Sequence, residues 1–145
     1  MRGLISVVFF TLTISSIACE CHYQSMEQNW RKADFVVQIR VHEIRDSLYF
    51  DIGKTLSYSL DPNYLEVEGF HVLLDVKQTF KGNVGSSIEI IPNWSNCDFR
   101  FDKSREYMIF GYIDSLGNHK TNICWSNFSL DSTEKLNQFK KVIDK

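Results

Sequence analysis

The sequence contains little proline and glycine, 2 and 7 of 145 residues, and it shows no repeat or low-complexity tract. Without a proline- or glycine-rich linker, nothing divides the chain after its leader into separate domains. An excess of basic residues is also lacking, since 16 lysines and arginines are balanced by 18 aspartates and glutamates. Nucleic acids and anionic membranes are bound through clustered basic residues, so this balance argues against both as partners.

Known catalytic motifs are missing as well. The His42-Glu43 pair is not followed by the second histidine of a zinc-protease helix, because Asp46 stands at that position. The remaining histidines are scattered along the chain: His22, His71 and His119. There is no glycine-rich phosphate loop and no pattern of an activated nucleophile. We therefore expect a protein that is not an enzyme and that needs no cofactor.

The first 18 residues have the pattern of a secretory signal peptide. Arg2 precedes an apolar run over residues 4–14, and small residues follow at Ser16 and Ala18. The run is too short to cross a bilayer, which takes about 20 residues, and no later segment is apolar enough to do so. We predict cleavage before Cys19. The mature chain is then a single secreted domain over residues 19–145, monomeric and without a transmembrane segment.

The mature chain keeps four cysteines: Cys19, Cys21, Cys97 and Cys124. An even number in a small exported chain predicts two disulfides. A bond between Cys19 and Cys21 would close a strained ring, because a single residue separates them. Each is therefore expected to reach one of the two distant cysteines. Loops of that length stabilise by about 4 kcal/mol each in the chain-entropy model.

Alternation of apolar residues predicts five strands. They cover residues 34–44, 70–80, 86–92, 105–114 and 119–125, and Gly111 indicates a bulge or bend in the fourth. A short helix over residues 25–32 precedes them, and residues 46–65 are expected to form a long loop or irregular hairpin. A second helix, capped by Asp131 with Glu134 at its third position, closes the chain. This order predicts a mainly β fold built on a small closed barrel.

Several features also occur in a specific order. A mature N-terminal Cys-x-Cys is followed by a short helix, by "KADFVV", by a strand running into "TFKG", by a cysteine before a "YMIFG" strand, and by a last cysteine before the closing helix. Together they resemble the N-terminal domain of the tissue inhibitors of metalloproteinases, in the netrin-like group. The resemblance covers nearly all of the mature chain. It implies a five-stranded OB-fold closed barrel with a short N-terminal helix, a C-terminal helix and two disulfides.

The resemblance further implies which cysteines pair and what the protein does. The disulfides would join Cys19 to Cys97 and Cys21 to Cys124. In that family the α-amine and carbonyl of the first cysteine chelate the zinc of a partner metalloproteinase, and the next side chain enters its specificity pocket. Here Cys19 would be the chelator of the partner's zinc and Glu20 the pocket residue. The rest of the protease-binding ridge would be Cys21, His22, Tyr23, Asn96, Cys97 and Asp98.

The chain departs from the family pattern at two positions. Arg31 stands about where the family has a third cysteine, which removes one disulfide. Glu20 replaces a small residue such as Ser or Thr, and a carboxylate is costly to bury in a largely apolar pocket. Either the partner has an unusual pocket, or the protein acts in another way.

Three alternatives stay open on the sequence. A netrin-like binding module without protease inhibition would have the same fold. A lipoprotein would also begin with Cys19, although Ser16 stands where Leu is expected, and lipid on Cys19 would leave Cys97 without its partner. Residues 19–22, Cys-Glu-Cys-His, could bind a metal through thiolate and imidazole groups, but this requires reduced cysteines, which export disfavours.

Overall fold

The computed structural model describes residues 19–46 and 67–144. The predicted signal peptide, residues 47–66 and Lys145 lie outside the described residues, so all of the predicted loop after Asp46 falls outside them. Within the described ranges, no helix is long and apolar enough to cross a membrane.

Helices flank a series of strands along the described chain. The elements are α1 (Met26–Lys32), β1 (Phe35–Ile44), β2 (Glu68–Gly69), β3 (Val72–Lys81), β4 (Ser87–Ile90), β5 (Phe101–Asp102), β6 (Glu106–Ile113), β7 (His119–Lys120), β8 (Phe128–Ser129) and α2 (Thr133–Ile143).

Five of the strands close into a barrel. Their order around it is β1-β3-β4-β7-β6, and β6 pairs again with β1. Counted along the chain, the third, fourth and fifth barrel strands are β4, β6 and β7. The fifth lies between the third and the fourth, and it runs parallel to the third. This is the arrangement of an OB-fold. The prediction of a mainly β closed barrel with two helices and two disulfides is confirmed.

The apolar alternation of β1 produces the inner face of the barrel. The side chains of Phe35, Val37 and Ile39 are fully buried in the barrel core. The intervening Val36 faces the other way and joins a second core between the barrel and the helices, together with Phe139 of α2. Strand β6 is apolar on both faces because it contributes to both cores, which explains its uninterrupted hydrophobic sequence.

The bulge expected at Gly111 is not observed. The pairing of β1 with β6 runs without a register shift through Phe35 and Gly111. A Cβ atom at Gly111 would overlap the ring of Phe35 and would lie 2.5 Å from the carbonyl oxygen of Lys120. Glycine is therefore needed so that the Phe35 ring can pack against the strand, and the predicted bulge is absent from this pairing.

The strand predicted over residues 119–125 is much shorter in the structure. Only His119 and Lys120 belong to β7. Beyond them, the Asn122 side chain accepts a hydrogen bond from the Cys124 amide at 2.9 Å, and the Asn122 carbonyl accepts one from the Trp125 amide at 3.3 Å. These bonds turn the chain out of the sheet, which alternation of residue types could not indicate.

The cap of α2 lies one residue later than predicted. Ser132 is the N-cap, and its hydroxyl accepts from the Lys135 amide. The Asp131 carboxylate instead accepts a hydrogen bond from the Ser129 hydroxyl at 2.9 Å. Because the Ser129 hydroxyl engages the Asp131 carboxylate, Ser132 takes the capping position.

The chain positions on either side of residues 47–66 are held together by polar contacts. The buried Asp46 carboxylate accepts hydrogen bonds from the Phe70 and His71 amides, the latter at 2.6 Å. The Arg45 amide donates to the His71 carbonyl at 2.7 Å. The Arg45 guanidinium and the His71 ring both contact Glu89 on β4. This polar cluster fixes the start of β3 beside the end of β1.

Candidate functional site

The N-terminal segment, residues 19–24, is irregular and leads into α1. A capping box fixes the point where the helix begins. The Ser25 hydroxyl accepts from the Gln28 amide at 3.2 Å, and the Gln28 side chain accepts from the Ser25 amide at 2.9 Å. The capping box therefore fixes the direction in which residues 19–24 enter the helix.

Two disulfides attach this segment to the barrel. They join Cys19 to Cys97 and Cys21 to Cys124, which is the pairing implied by the family resemblance. The Cys19 sulfur lies 3.7 Å from that of Cys124 and 3.9 Å from that of Cys21. The two disulfides therefore pack against each other, and the residues on either side of Glu20 are both covalently anchored.

The same pairing bears on the alternative metal site. The sulfur atoms of Cys19, Cys21 and Cys124 lie within 4.8 Å of one another. Each of them belongs to a disulfide, however, and the described residues include no free cysteine. Thiolates, rather than disulfide sulfurs, are the ligands that soft metals prefer. The oxidised protein therefore offers no thiolate site at these cysteines.

The two anchoring segments are bonded to each other. The Ile123 amide donates to the Cys97 carbonyl at 2.8 Å, and Asp98 and Asn122 form an isolated β-bridge. Residues 19–23, 96–98 and 122–124 thus form one continuous structure, which we call the ridge. Every part of it is tied to another part by a covalent bond or a backbone hydrogen bond.

Within the ridge, Asp98 has a supporting position. Its side chain is buried, with one oxygen accepting from the Asn93 amide at 3.0 Å and the other from the Ser95 amide at 2.7 Å. These bonds shape the turn that presents Cys97. Of the predicted site residues, Asp98 therefore holds the backbone and does not offer its carboxylate to solvent.

The other predicted ridge residues lie at the surface. Cys19 and Cys97 are half-buried, and the exposed ones are Glu20, Cys21, His22, Tyr23 and Asn96. Tyr23 is 94% exposed, and Ile123, next to Cys124, is 48% exposed. Apolar side chains this exposed, beside a rigid backbone, are suited to contact another molecule.

A hydrogen-bond network that the sequence did not reveal supports the Cys124 side of the ridge. The Asn127 side chain accepts from the Phe110 amide at 2.8 Å and donates to the Thr121 hydroxyl at 2.8 Å and the Asn122 carbonyl at 3.0 Å. At the neighbouring position, the Ser126 hydroxyl accepts a hydrogen bond from the side-chain amide of Asn29, in α1, at 2.7 Å. The concentration of Asn, Thr and Ser in residues 121–129 was the available signal.

Two titratable side chains next to the ridge, those of His119 and Lys120, have contacts within the fold. Burial lowers the pKa of His119, which favours the neutral form of this ring. The ring packs edge-to-face with the Phe35 ring, with centroids 5.2 Å apart. The Lys120 side chain is buried, with its ammonium 3.4 Å from the Pro92 carbonyl oxygen and 4.0 Å from the Asp114 carboxylate. The Lys120 ammonium therefore has its polar partners within the fold.

No protein-family model matches the chain, and a search of curated proteins finds no match either.

Proposed function

We propose that the mature protein is a secreted, non-catalytic inhibitor of zinc metalloproteinases, of the tissue-inhibitor type, which acts through the α-amine and carbonyl of Cys19. One observation carries the proposal. Two adjacent disulfides fix residues 19–21 on a hydrogen-bonded pair of barrel segments around Cys97 and Cys124. Two cross-links would be unnecessary if residues 19–21 were a flexible tail. They are expected if this chain end must be held in one position.

The chemistry of the partner explains why a chain end is needed. A catalytic zinc has three protein ligands and an open position that holds the reactive water. An α-amine, with a pKa near 8, becomes a neutral nitrogen donor when it loses its proton. The carbonyl oxygen of the same residue is placed to bind beside it. Binding of both atoms to the zinc would displace the water and leave the protease without its nucleophile.

Rigidity of the ridge supports tight binding. A flexible chain end would lose conformational entropy when it entered a cleft, and this loss would weaken the complex. Here Cys19 and Cys21 are both cross-linked, so most of that entropy is already lost before binding. The exposed Tyr23 and Ile123 side chains flank the Cys21–Cys124 disulfide and add apolar contact area.

An added residue tests the proposal directly. We expect that one extra alanine before Cys19 will weaken inhibition of a responsive metalloproteinase by on the order of a hundredfold, because the Cys19 amine becomes an amide nitrogen that cannot bind zinc. The measurement is the inhibition constant of the secreted protein with and without the alanine. A matched control carries the alanine after Lys145. Equal inhibition by all three forms would overturn zinc chelation by Cys19.

The second candidate function is a netrin-like binding module without a protease target. The 94% exposure of Tyr23 favours it, because an exposed aromatic residue on a rigid surface suits recognition of many kinds of partner. In that case the added alanine would leave partner binding unchanged. The lipid-anchored form of this module is disfavoured by the Cys19–Cys97 disulfide, since the same sulfur cannot also carry a lipid thioether.

A further inference from the structure

The ridge exposes one carboxylate and carries neither lysine nor arginine. Both residue types are absent from residues 19–24, 92–98 and 121–129, all of which the structure describes. The acidic residues in these ranges are Glu20 and Asp98. Asp98 is buried and bonded to backbone amides, so its charge is directed inward. Glu20 alone presents a negative charge at the ridge surface.

The position of Glu20 is unusually restricted for an exposed side chain. It lies between Cys19 and Cys21, and each of these is cross-linked to a different barrel segment. Its backbone is tethered on both sides and therefore has much less freedom to move than an ordinary chain end. Among the described residues Glu20 forms no ion pair, and its carboxylate is free to contact a partner.

Burial of the Glu20 carboxylate against a partner requires a positive charge on that partner. A carboxylate that leaves water without a counter-charge is strongly disfavoured, so an apolar surface opposite Glu20 would oppose binding. A cation on the partner would reverse this effect. A guanidinium fits better than an ammonium, because it is less strongly hydrated and can donate two parallel hydrogen bonds to one carboxylate.

We infer that the metalloproteinase bound by the ridge carries a cationic side chain, best an arginine, opposite Glu20. This inference rests on the proposed function and specifies its partner. Glu20 is then the residue that selects the partner, whereas Cys19 supplies the zinc ligands common to any target. Enzymes with an apolar pocket beside the zinc are excluded as good targets.

The test uses two forms of one metalloproteinase catalytic domain that both cleave the same reporter peptide. They differ at one residue lining the pocket beside the zinc, which is arginine in one form and leucine in the other. Against each form we would measure the inhibition constants of the mature wild-type protein and of Glu20→Gln, Glu20→Thr and the matched control Glu134→Gln. Glu134 is also an exposed carboxylate, but it lies at the start of α2, outside the ridge.

We expect the wild type to inhibit the arginine form at least about tenfold more strongly than the leucine form. Glu20→Gln should lose about tenfold on the arginine form, and Glu20→Thr should gain on the leucine form. Glu134→Gln should match the wild type on both. Raising the salt concentration should weaken the wild type on the arginine form more than it weakens Glu20→Gln.

Two adverse results have different meanings. Equal inhibition of both enzyme forms by the wild type, together with no effect of Glu20→Gln, would overturn the cationic partner and leave zinc chelation by Cys19 standing. A folded protein with an unblocked Cys19 that inhibits neither form, with or without Glu20→Thr, would overturn the proposed function, and the inference would fail with it.

Discussion

Gly111 shows how one residue allows two cores to form. Its missing side chain makes room for the Phe35 ring inside the barrel, while its neighbour Phe110 packs on the helix side. A larger residue at this point would push the ring and the Lys120 backbone apart. Glycine is therefore required at this position by close packing, and the register shows no bulge there that would require it.

We predict that Gly111→Ala lowers the free energy of unfolding by about 1–3 kcal/mol, because the added methyl group overpacks the Phe35 site. The matched control is Gly85→Ala, where a Cβ would meet only the Ser87 carbonyl oxygen, at an ordinary 3.7 Å. Urea denaturation of the three proteins measures the effect. Equal stability of Gly111→Ala and the wild type would contradict the packing described for Phe35.

Asn127 is a second single residue with several partners, and its side chain supports the Cys124 side of the ridge. We predict that Asn127→Ala costs about 1–3 kcal/mol of stability, because the Phe110 amide and the Asn122 carbonyl both lose their partner. Asn137→Ala, at an exposed position of α2, is the control and should change stability by less than about 0.5 kcal/mol. Thermal unfolding distinguishes them, and similar melting temperatures for the two variants would refute the supporting role of Asn127.

Among the connecting elements, the turn between β6 and β7 is organised by one carboxylate. The Asp114 side chain accepts hydrogen bonds from the Asn118 amide and the Leu116 amide, each at 2.9 Å. The backbone hydrogen bond from Asn118 is the main cause that lowers the pKa of Asp114, and the Asn118 side chain, Leu116 and Lys120 act in the same direction. The turn is thus most stable when Asp114 is ionised.

This lowered pKa gives a pH dependence with a definite sign. The stabilisation by Asp114 is fully present above the pKa of an unfolded aspartate, about 3.9, and is lost as the pH falls through the lower folded value. We predict that Asp114→Asn loses less stability than the wild type between about pH 5 and pH 2.5, a range that begins roughly one unit above the unfolded pKa. Urea midpoints measured across this pH range provide the check; parallel curves would contradict the role of Asp114.

The regular elements could be predicted from the sequence, but the irregular ones could not. Strands such as β1 and β6 contain eight or more residues, and their apolar pattern reports the burial of each face. The two-residue strands β2, β5, β7 and β8 are too short to show any periodicity. Their positions depend on backbone pairing with other strands, which the local sequence does not specify.

The candidate site was predictable to a similar extent. The order of the cysteines implied the two disulfides through the family resemblance, and both are present. The inward orientation of Asp98 was not foreseen, because it depends on a turn that places the Asn93 and Ser95 amides around the carboxylate. A polar residue beside a predicted binding residue looks the same in sequence whether it faces a partner or its own backbone.

At the scale of the whole molecule, the barrel and its cross-links have one common effect. The sheet closes into a barrel through the pairing of β1 with β6, and the two helices cover its outer apolar face. Both disulfides then serve a single surface, the ridge, where they anchor three separate parts of the chain. The fold therefore functions as a rigid base for residues 19–23, and the proposed inhibition depends on how that segment begins.

The most direct test of this account is the mass of the secreted protein and of its peptides after digestion without reduction. We predict a mature chain that starts at an unmodified Cys19, with one peptide pair linked through Cys19 and Cys97 and another through Cys21 and Cys124. That result would leave the Cys19 amine available to a zinc ion. A different first residue, or a lipid or other blocking group on Cys19, would contradict the proposed mechanism.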